Sequence, residues 1–325
     1  MGWIRCRDGC AGKWTPSRSL FPENSTLARS LGMNQTGSPQ QKPQTIRALL
    51  ILGRVSNLPT VWANITAAWF LAGGQWEGML FVAMLAGSLF YIGGMAQNDL
   101  MDVEWDRQHA KDRPIPRGMI RFRTASIYCL ACLIAGITLF LVIGAHIIYI
   151  AALFTAITLY NHFHKKWSGS VWIMGACRAL LFLTTASIFR LECSSTIWLW
   201  AGALLIYVAG ITLAARGENT GGSVKRVALL LLAAPAALGL FVWIQAGDWL
   251  HPLIASVAIF GIWLAMSYET LREKPGKIGA FVGKLLAGMV LVDAMACISV
   301  SSSASLFCFS LLAVNLIAQR YIPAT

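Results

Sequence analysis

The sequence predicts an all-α integral membrane protein, built as a bundle of about nine transmembrane helices, or ten. Its composition is 57% hydrophobic and only 12% charged, about half the charged fraction of a typical soluble domain. Mean hydropathy is +0.62. Apolar runs of about 20 residues, long enough to cross a bilayer, also follow one another with short gaps. Both observations favour a membrane domain over a soluble enzyme.

Nine apolar runs are expected to be spans, because backbone exposed to lipid must satisfy its own hydrogen bonds and a helix does so. A tenth run at 304–319 is either a further span or a re-entrant segment. The short gaps leave no room for a soluble domain, so we expect one membrane domain over residues 46–325. The nine runs are 48–73, 79–100, 124–143, 145–162, 171–189, 196–214, 227–245, 250–267 and 281–299.

The charge distribution indicates on which side of the membrane each gap between the apolar runs lies. A net charge of +12 is by itself compatible with nucleic-acid binding. Among these gaps, however, those after odd-numbered runs contain a single basic residue, Arg190, while those after even-numbered runs contain Arg107, Lys111, Arg113, Arg117, Arg121, Arg123, Lys165, Lys166, Arg216, Lys225, Arg226, Arg272, Lys274 and Lys277. This asymmetry follows the positive-inside rule. We therefore expect no nucleic-acid partner, a cytoplasmic N-terminus, and a location in the bacterial inner (cytoplasmic) membrane.

Residues 1–45 differ in kind from the rest of the chain. They are rich in Ser, Pro, Gln and basic residues and contain no apolar run, so they do not resemble a secretory signal peptide. We expect a disordered polar tail, or in part a start-site artefact ahead of Met33.

The stretch at 98–118, N-D-L-M-D-V-E-W-D-R-Q-H-A-K-D-R-P-I-P-R-G, holds five of the fourteen acidic residues. On a helix with about 100° per residue, Asp99, Asp102 and Asp106 lie within about 100° of Asn98, and Glu104 points elsewhere. Carboxylates gathered on one face repel one another, and burial increases the repulsion. This face therefore requires a cation.

Oxygen ligands suit Mg²⁺, which proteins usually hold through one or two carboxylates together with substrate phosphates. The basic residues that follow are suited to gripping phosphate oxygens. The pattern predicts a magnesium–diphosphate site beside the lipid, at the cytoplasmic end of the second span. The alternative is a solvated loop of mixed charge beside the membrane.

Several motifs together resemble the UbiA-type intramembrane prenyltransferases. The strongest is N-D-x-x-D-x-x-x-D at 98–106 followed by K-D-R-P-I-P-R-G at 111–118, supported by R-V-S-N-L-P-T-V-W-A-N at 54–64 and Y-N-H-F-H-K-K-W at 160–167. The resemblance covers nearly the whole membrane domain. G-A-C-R, A-A-R-G-E and V-G-K-L-L-A-G-M-V-L-V-D-A, beginning at 175, 214 and 282, look most like the EboC-like branch.

The resemblance implies a helical bundle around a lipid-accessible cavity, with two acidic motifs facing each other across its cytoplasmic mouth. It also implies Mg²⁺ bound to an isoprenyl diphosphate, ionisation to an allylic carbocation, and capture by a second substrate in a dry cavity. The implied metal ligands are Asn98, Asp99, Asp102 and Asp106, with the three aspartates catalytic. The implied diphosphate contacts are Arg54, Asn57, Arg113, Lys165, Lys166 and Arg216.

Some of these contacts have a second interpretation. Arg54 can be a charge that snorkels from a helix end, and Asn57 can cap a kink before Pro59. Lys165 and Lys166 satisfy the positive-inside rule whether or not they touch a substrate.

The second acidic motif departs from the family pattern. The corresponding stretch, L-A-A-R-G-E-N-T-G-G at 213–222, contains one acidic residue, Glu218, with Arg216 two residues before it. We expect Glu218 to be a metal ligand and Arg216 to replace part of the charge of a second ion. The depletion leaves open a chain that binds an isoprenoid diphosphate without transferring it.

Arg178 lies within the fifth apolar run, where a charge is costly and usually faces a cavity or a partner. We expect a catalytic role for it. The alternative is a structural ion pair with Asp293 of the ninth run.

The favoured function is Mg²⁺-dependent transfer of an isoprenyl group to an unidentified acceptor within the membrane, either a small molecule or a lipid. One alternative is a non-catalytic isoprenoid- or lipid-binding or translocation component on the same scaffold. Another is an unrelated transporter, although a convincing second copy of the 98–118 stretch, typical of transporter repeats, is not found. No residue pattern selects the acceptor among an aromatic ring, a sugar phosphate, water and a lipid.

Overall fold

The computed structural model describes residues 45–216, 226–247, 252–273 and 278–322, and over these residues the chain forms helices without strands. This confirms the predicted all-α class. A short 3₁₀ turn at Val55–Asn57 separates the first two helices. The helices are α1 Thr45–Leu52, α2 Leu58–Leu71, α3 Gly78–Met101, α4 Val103–His109, α5 Phe122–Val142, α6 Ile147–Phe163, α7 Ser170–Ala186, α8 Ser195–Arg216, α9 Arg226–Leu232, α10 Ala234–Ala246, α11 Leu253–Glu273, α12 Ile278–Ala287, α13 Met289–Cys297 and α14 Ser302–Tyr321.

All of the predicted apolar runs are helical where the structure describes them, but three of them are divided. The first is broken between α1 and α2, where Arg54 adopts a left-handed conformation with φ +44°. The seventh is broken ahead of Pro235, which lies in the first turn of α10, as expected for a residue without a backbone N–H. The ninth is broken at Gly288, where an added Cβ would lie 2.7 Å from Trp263 Nε1.

Seven helical segments of the described part of the chain are long and apolar enough to cross a membrane, with α9 and α10 counted as one segment and α12 and α13 as another. Helices α6 and α7 are apolar but shorter. The protein is therefore a multi-pass membrane protein. The count of nine or ten spans stays a prediction. The predicted tail at 1–45 lies outside the described residues except for Thr45, the first residue of α1.

The largely buried helix α2 packs against α3, α7, α13 and α14. Further packing joins α3 to α5 and α6, and α7 to α6 and α8. Glycines allow the closest approaches: a Cβ at Gly136 of α5 would lie 3.1 Å from the carbonyl oxygen of Ala86 on α3. Large apolar side chains such as Phe81, Ile127 and Leu230 point outward, as expected for a surface in contact with lipid.

Candidate active site at the end of α3

The acidic face of the 98–118 stretch is buried. Asn98 and Asp99 lie in the last turn of α3, and Asp102 joins α3 to α4 with near-helical dihedrals (φ −89°, ψ −2°), so the face continues to Asp106 on α4. These four residues are 8%, 6%, 6% and 1% exposed, respectively. Glu104 points outward and pairs with Arg107 across 2.8 Å. The helical-wheel prediction of one shared face is confirmed.

Cationic side chains from elsewhere in the chain pair with the buried carboxylates. Arg113 bridges two of them, since its Nη1 lies 2.9 Å from Asp99 Oδ1 and 3.0 Å from Asp106 Oδ2. Lys165 Nζ lies 2.8 Å from Asp102 Oδ1 and 4.0 Å from Asp106 Oδ1. The mutual repulsion predicted for the carboxylates is therefore relieved by the protein itself.

The turn after α4 brings Arg113 back to the acidic face. The backbone N–H of Arg113 donates to the Ala110 carbonyl at 3.1 Å, and that of Met119 donates to Pro114 at 3.0 Å. Gly118 has φ +76°, which only glycine adopts at low cost. The K-D-R-P-I-P-R-G motif thus forms a folded turn that holds one guanidinium against two carboxylates.

Arg54 reaches the same carboxylates from the break between α1 and α2. Its Nη2 lies 3.8 Å from Asp99 Oδ1, and its left-handed backbone conformation costs a non-glycine residue on the order of 1 kcal/mol. The nearby Asn57 is buried, and its Nδ2 donates to the hydroxyl of Tyr91 at 3.3 Å. These contacts associate Arg54 with the acidic face and Asn57 with Tyr91 on α3.

The end of α6 contributes two residues to which the sequence assigned no role. His164 Nε2 lies 3.1 Å from Asp102 Oδ2, and its Nδ1 lies 3.1 Å from the carbonyl oxygen of Asn161. Both ring nitrogens face oxygen atoms, so His164 connects Asp102 to the end of α6. Asn161 joins α6 to α3, because its side chain accepts from Asn98 at 3.2 Å and donates to the Gly94 carbonyl at 3.1 Å. The one available signal was the position of His164 next to Lys165.

Arg216 and Lys166 have other contacts. The guanidinium of Arg216 donates to the carbonyls of His164 at 2.9 Å and Trp167 at 3.3 Å and to Ser170 Oγ at 2.6 Å. It thus satisfies carbonyls at the C-terminal end of α6, where a helix leaves them unpaired. Lys166 is exposed and lines a separate apolar groove of about 520 Å³.

The paired charges line a cavity of about 780 Å³, called here the mouth cavity, to which Arg54, Asp102, Arg113 and Lys165 contribute. Arg216 lies at its edge. A further, mostly apolar part of its lining comes from α8 and α12 and consists of Thr212, Ala215, Gly279 and Val282. One cavity therefore offers both a charged region and an apolar region.

A second, smaller space adjoins the mouth cavity. This inner pocket has a volume of about 60 Å³, and its lining includes Tyr91, Ile157, Cys177, Arg178 and Leu181. Met95, Tyr160 and Met174 line both spaces. The inner pocket therefore lies next to the mouth cavity and shares part of its lining.

Arg178 is held at the inner pocket by polar contacts on one side. Its Nη2 donates to Thr60 Oγ1 at 2.8 Å, and its guanidinium carbon lies 5.4 Å from the ring centroid of Tyr91. Its Nη1 is buried without a hydrogen-bond partner, as is Oδ2 of Asp293. Among the described residues no carboxylate lies within 4.0 Å of Arg178, so the alternative of a close ion pair with Asp293 is not formed in this structure.

Two of the buried carboxyls, Asp102 and Asp106, lie beyond the end of α3 and have different electrostatic environments. Burial alone raises the pKa of Asp102, but hydrogen bonds from His164 and Lys165 outweigh it and hold that pKa below the ordinary value. Burial raises the pKa of Asp106 above its ordinary value despite the opposing charges of Arg113 and Lys165. Asp102 is therefore the more strongly stabilised anion of the two.

The donors of the first motif fit Mg²⁺ in chemical type. They are all oxygens, and the buried Oδ1 of Asp106 has no hydrogen-bond partner. Within the described residues, however, no three acidic, histidine or cysteine side chains converge into a closed metal site, and Glu218 lies outside them. The arrangement fits an ion shared with the phosphates of a ligand better than one enclosed by protein.

Comparisons with known proteins agree with this architecture. Digeranylgeranylglyceryl phosphate synthase from Methanopyrus kandleri is 32% identical over 108 residues, which is 33% of this chain and 40% of that relative, less than half of its length. Protoheme IX farnesyltransferase from Nostoc sp. is 24% identical over 257 residues, covering 71% of this chain and 77% of the relative.

The solved apo structure of a UbiA homolog from Aeropyrum pernix K1 shares the fold. Its TM-score is 0.62 at 16% sequence identity, and the match covers 77% of this chain and 98% of that one. Membership of the EboC-like branch stays a prediction. The model of the UbiA prenyltransferase family matches residues 56–286, well over half of the chain, and the protein therefore belongs to the UbiA prenyltransferase family.

Proposed function

We propose that the protein transfers an isoprenyl group from an isoprenyl diphosphate to an acceptor within the membrane, with Mg²⁺ as its cofactor. One observation carries this proposal. Buried carboxylates are paired with cationic side chains at a cavity of about 780 Å³, and another part of the lining of that cavity is apolar. Relatives named as a digeranylgeranylglyceryl phosphate synthase and a farnesyltransferase support the same class of reaction.

The charge balance favours a metal–diphosphate complex over a bare ion. The carboxylates of Asp99, Asp102 and Asp106 are balanced by three cations, Arg54, Arg113 and Lys165. A bare Mg²⁺ would add two uncompensated positive charges. An isoprenyl diphosphate carrying one Mg²⁺ has a net charge of about −1 and fits with little disturbance.

The cations are placed so that they can exchange partners. The side chains of Arg113 and Lys165 are 32% and 31% exposed, and both line the mouth cavity. Each can turn from a carboxylate to a phosphate oxygen without leaving the cavity, which frees carboxylate oxygens to act as metal ligands. When bound, Mg²⁺ supplies positive charge that stabilises the departing diphosphate.

In the proposed transfer, the bond between C1 of the isoprenyl group and the diphosphate oxygen breaks, and its electron pair leaves with the diphosphate. C1 then receives an electron pair from the acceptor, and the acceptor loses one proton to a diphosphate oxygen. Arg113, Lys165 and His164 stabilise the charge that develops on the diphosphate. Met95 and Met174 help to keep water from C1, because these apolar side chains line both the mouth cavity and the inner pocket.

We further propose that the mouth cavity faces the cytoplasm of a bacterial cell, in its inner membrane. The support is the excess of basic residues in alternate gaps between the apolar runs. Residues 46–325 form the membrane domain in this proposal, and 1–45 a tail outside it.

The test is the release of diphosphate by the purified protein in lipid nanodiscs. Geranyl, farnesyl and geranylgeranyl diphosphates are offered with Mg²⁺ or with EDTA. Asp102→Asn should reduce release at least a hundredfold, whereas Glu104→Gln, an exposed acid on the neighbouring helix, should not change it. Release that persists in EDTA or in Asp102→Asn would contradict the proposal.

A non-catalytic isoprenoid-binding or translocation role is the second candidate. It is favoured by one observation, that the carboxylates already have cationic partners within the protein, so the site can be stable without turnover. Tight Mg²⁺-dependent binding with no diphosphate release, whichever acceptor is supplied, would favour this role.

A further inference from the structure

We infer that the inner pocket is the acceptor site, and that Arg178 binds an anionic oxygen group, a carboxylate or a phosphate, on the acceptor. This inference deepens the proposed function and rests on it. It names the chemical class of the second substrate and the residue that selects it.

The first argument is that the Arg178 side chain has a buried hydrogen-bond donor without a partner. A guanidinium stays charged and carries five N–H donors. Thr60 Oγ1 accepts from Nη2, and the Tyr91 ring lies against the guanidinium, yet Nη1 is buried without a partner. A buried charged donor of this kind is costly unless an acceptor satisfies it. The neighbours thus orient the guanidinium beside the inner pocket and leave its Nη1 donor unsatisfied.

The position of the inner pocket is the second argument. It shares Met95, Tyr160 and Met174 with the mouth cavity, so a compact molecule held by Arg178 extends toward the place where the isoprenyl C1 meets its acceptor. A molecule anchored at its far end in this way presents its other end to C1. Such anchoring is how a binding site orients a nucleophile.

The inner pocket is a poor site for the isoprenyl chain itself. A hydrocarbon offers nothing to the unsatisfied donor of Arg178, and the volume of about 60 Å³ is small beside the 780 Å³ of the mouth cavity. The apolar lining from α8 and α12, including Ala215 and Val282, gives the chain a separate place. The isoprenyl chain and the acceptor therefore occupy different spaces, and C1 lies where the two spaces meet.

Asp293 is the competing explanation for Arg178. It is buried on α13, and its Oδ2 also lacks a hydrogen-bond partner. If the two side chains serve only to balance each other, removal of either should have the same effect on stability. If Arg178 serves the acceptor, Asp293 should be dispensable for binding an anion.

The experiment measures equilibrium binding of radiolabelled benzoate, phenyl phosphate and uncharged benzamide to the full-length protein in nanodiscs. We expect at least one of the two anions to bind the wild type at least tenfold more tightly than benzamide does; whichever binds identifies the acceptor group. Arg178→Met should weaken that anion at least tenfold and Arg178→Lys less. Arg190→Met, an exposed arginine beyond the same helix, should have no effect.

A second arm measures binding of geranylgeranyl diphosphate with Mg²⁺. Arg178→Met should retain it within about twofold, and Asp293→Asn should bind the anion at least as tightly as the wild type. Three outcomes would overturn the inference. The wild type and Arg178→Met bind the anion equally, the wild type binds no anion, or Arg178→Met loses the anion and geranylgeranyl diphosphate to the same extent. If Arg178→Met does not fold, the comparison of Arg178→Lys with Asp293→Asn decides in the same way.

The two proposals fail differently. Arg178-dependent anion binding without any diphosphate release would contradict the proposed transfer and leave the anion site standing. Diphosphate release that no Arg178-bound anion influences would leave the transfer standing and remove the acceptor assignment.

Discussion

Replacement of Arg113 by glutamine should destabilise the protein more than any other single change in the turn that follows α4. Arg113 is the one side chain of that turn that contacts two buried carboxylates, at 2.9 Å and 3.0 Å. Glutamine keeps a hydrogen-bonding end but loses the charge. Asp99 then retains Arg54 at 3.8 Å, and Asp106 retains Lys165 at 4.0 Å.

The magnitude follows from these contacts. A hydrogen bond to a charged group contributes about 1.5–3 kcal/mol, and removal of one partner of a fully buried pair costs about 3–5 kcal/mol. Arg113 is about one third exposed and other cations remain nearby, so we expect a loss of about 2–3 kcal/mol. At about 2–4 °C per kcal/mol for a domain of this size, Tm should fall by roughly 5–10 °C.

The assay is thermal unfolding in detergent micelles, followed by the fluorescence of the thirteen tryptophans. The matched control is Arg117→Gln, because Arg117 is an exposed arginine four residues further along the same turn and its replacement should change stability by less than about 0.5 kcal/mol. In a double-mutant cycle, Asp99→Asn should make the loss from Arg113→Gln smaller by about 1 kcal/mol. Equal Tm values for the two glutamine variants would refute the reasoning.

Three further results are expected. Arg216→Met should reduce diphosphate release about tenfold, because it frees the segment that carries Lys165, whereas Arg320→Met at an exposed site should not; steady-state release rates decide. Mn²⁺ should bind at least tenfold more tightly in the presence of inorganic diphosphate than alone, as measured by electron paramagnetic resonance, and equal affinities would contradict the charge-balance argument. Gly175→Val should lower Tm by at least about 5 °C, since its Cβ would collide with the carbonyl of Leu205, while Gly202→Ala meets open space and should be neutral; thermal unfolding distinguishes them.

The helices could be predicted from the sequence because hydropathy and span length are local properties. The breaks at Arg54 and Gly288 could not, because they depend on where other helices lie. At Gly288, for example, Trp263 and Tyr207 come so close that a Cβ would collide with them. A hydropathy pattern contains no information about such neighbours.

The acidic face could also be predicted, since the positions of Asp102 and Asp106 relative to Asn98 follow from helical geometry alone. The contacts of distant side chains could not. The position of His164 next to Lys165 is the one signal in the sequence, and it does not show that the ring faces Asp102. The diphosphate contact that the resemblance implies for Arg216 stays a prediction, and Arg216 lines the mouth cavity. Its hydrogen bonds to the end of α6 are a role that only the packing of α8 against that segment reveals.

The carboxylates of this site serve two purposes that are linked by electrostatics. In the absence of ligand they hold Arg113 and Lys165 at the mouth cavity, where these cations would otherwise spread into solvent or repel each other. A diphosphate then finds its cationic contacts already positioned, so less conformational entropy is lost on binding. In the proposed function, the same exchange would free carboxylate oxygens that could then hold a metal ion. On this argument, the paired acids and bases are a pre-organised form of the proposed site. A face of unpaired carboxylates would bind the metal ion but would hold no cations in place for the phosphate.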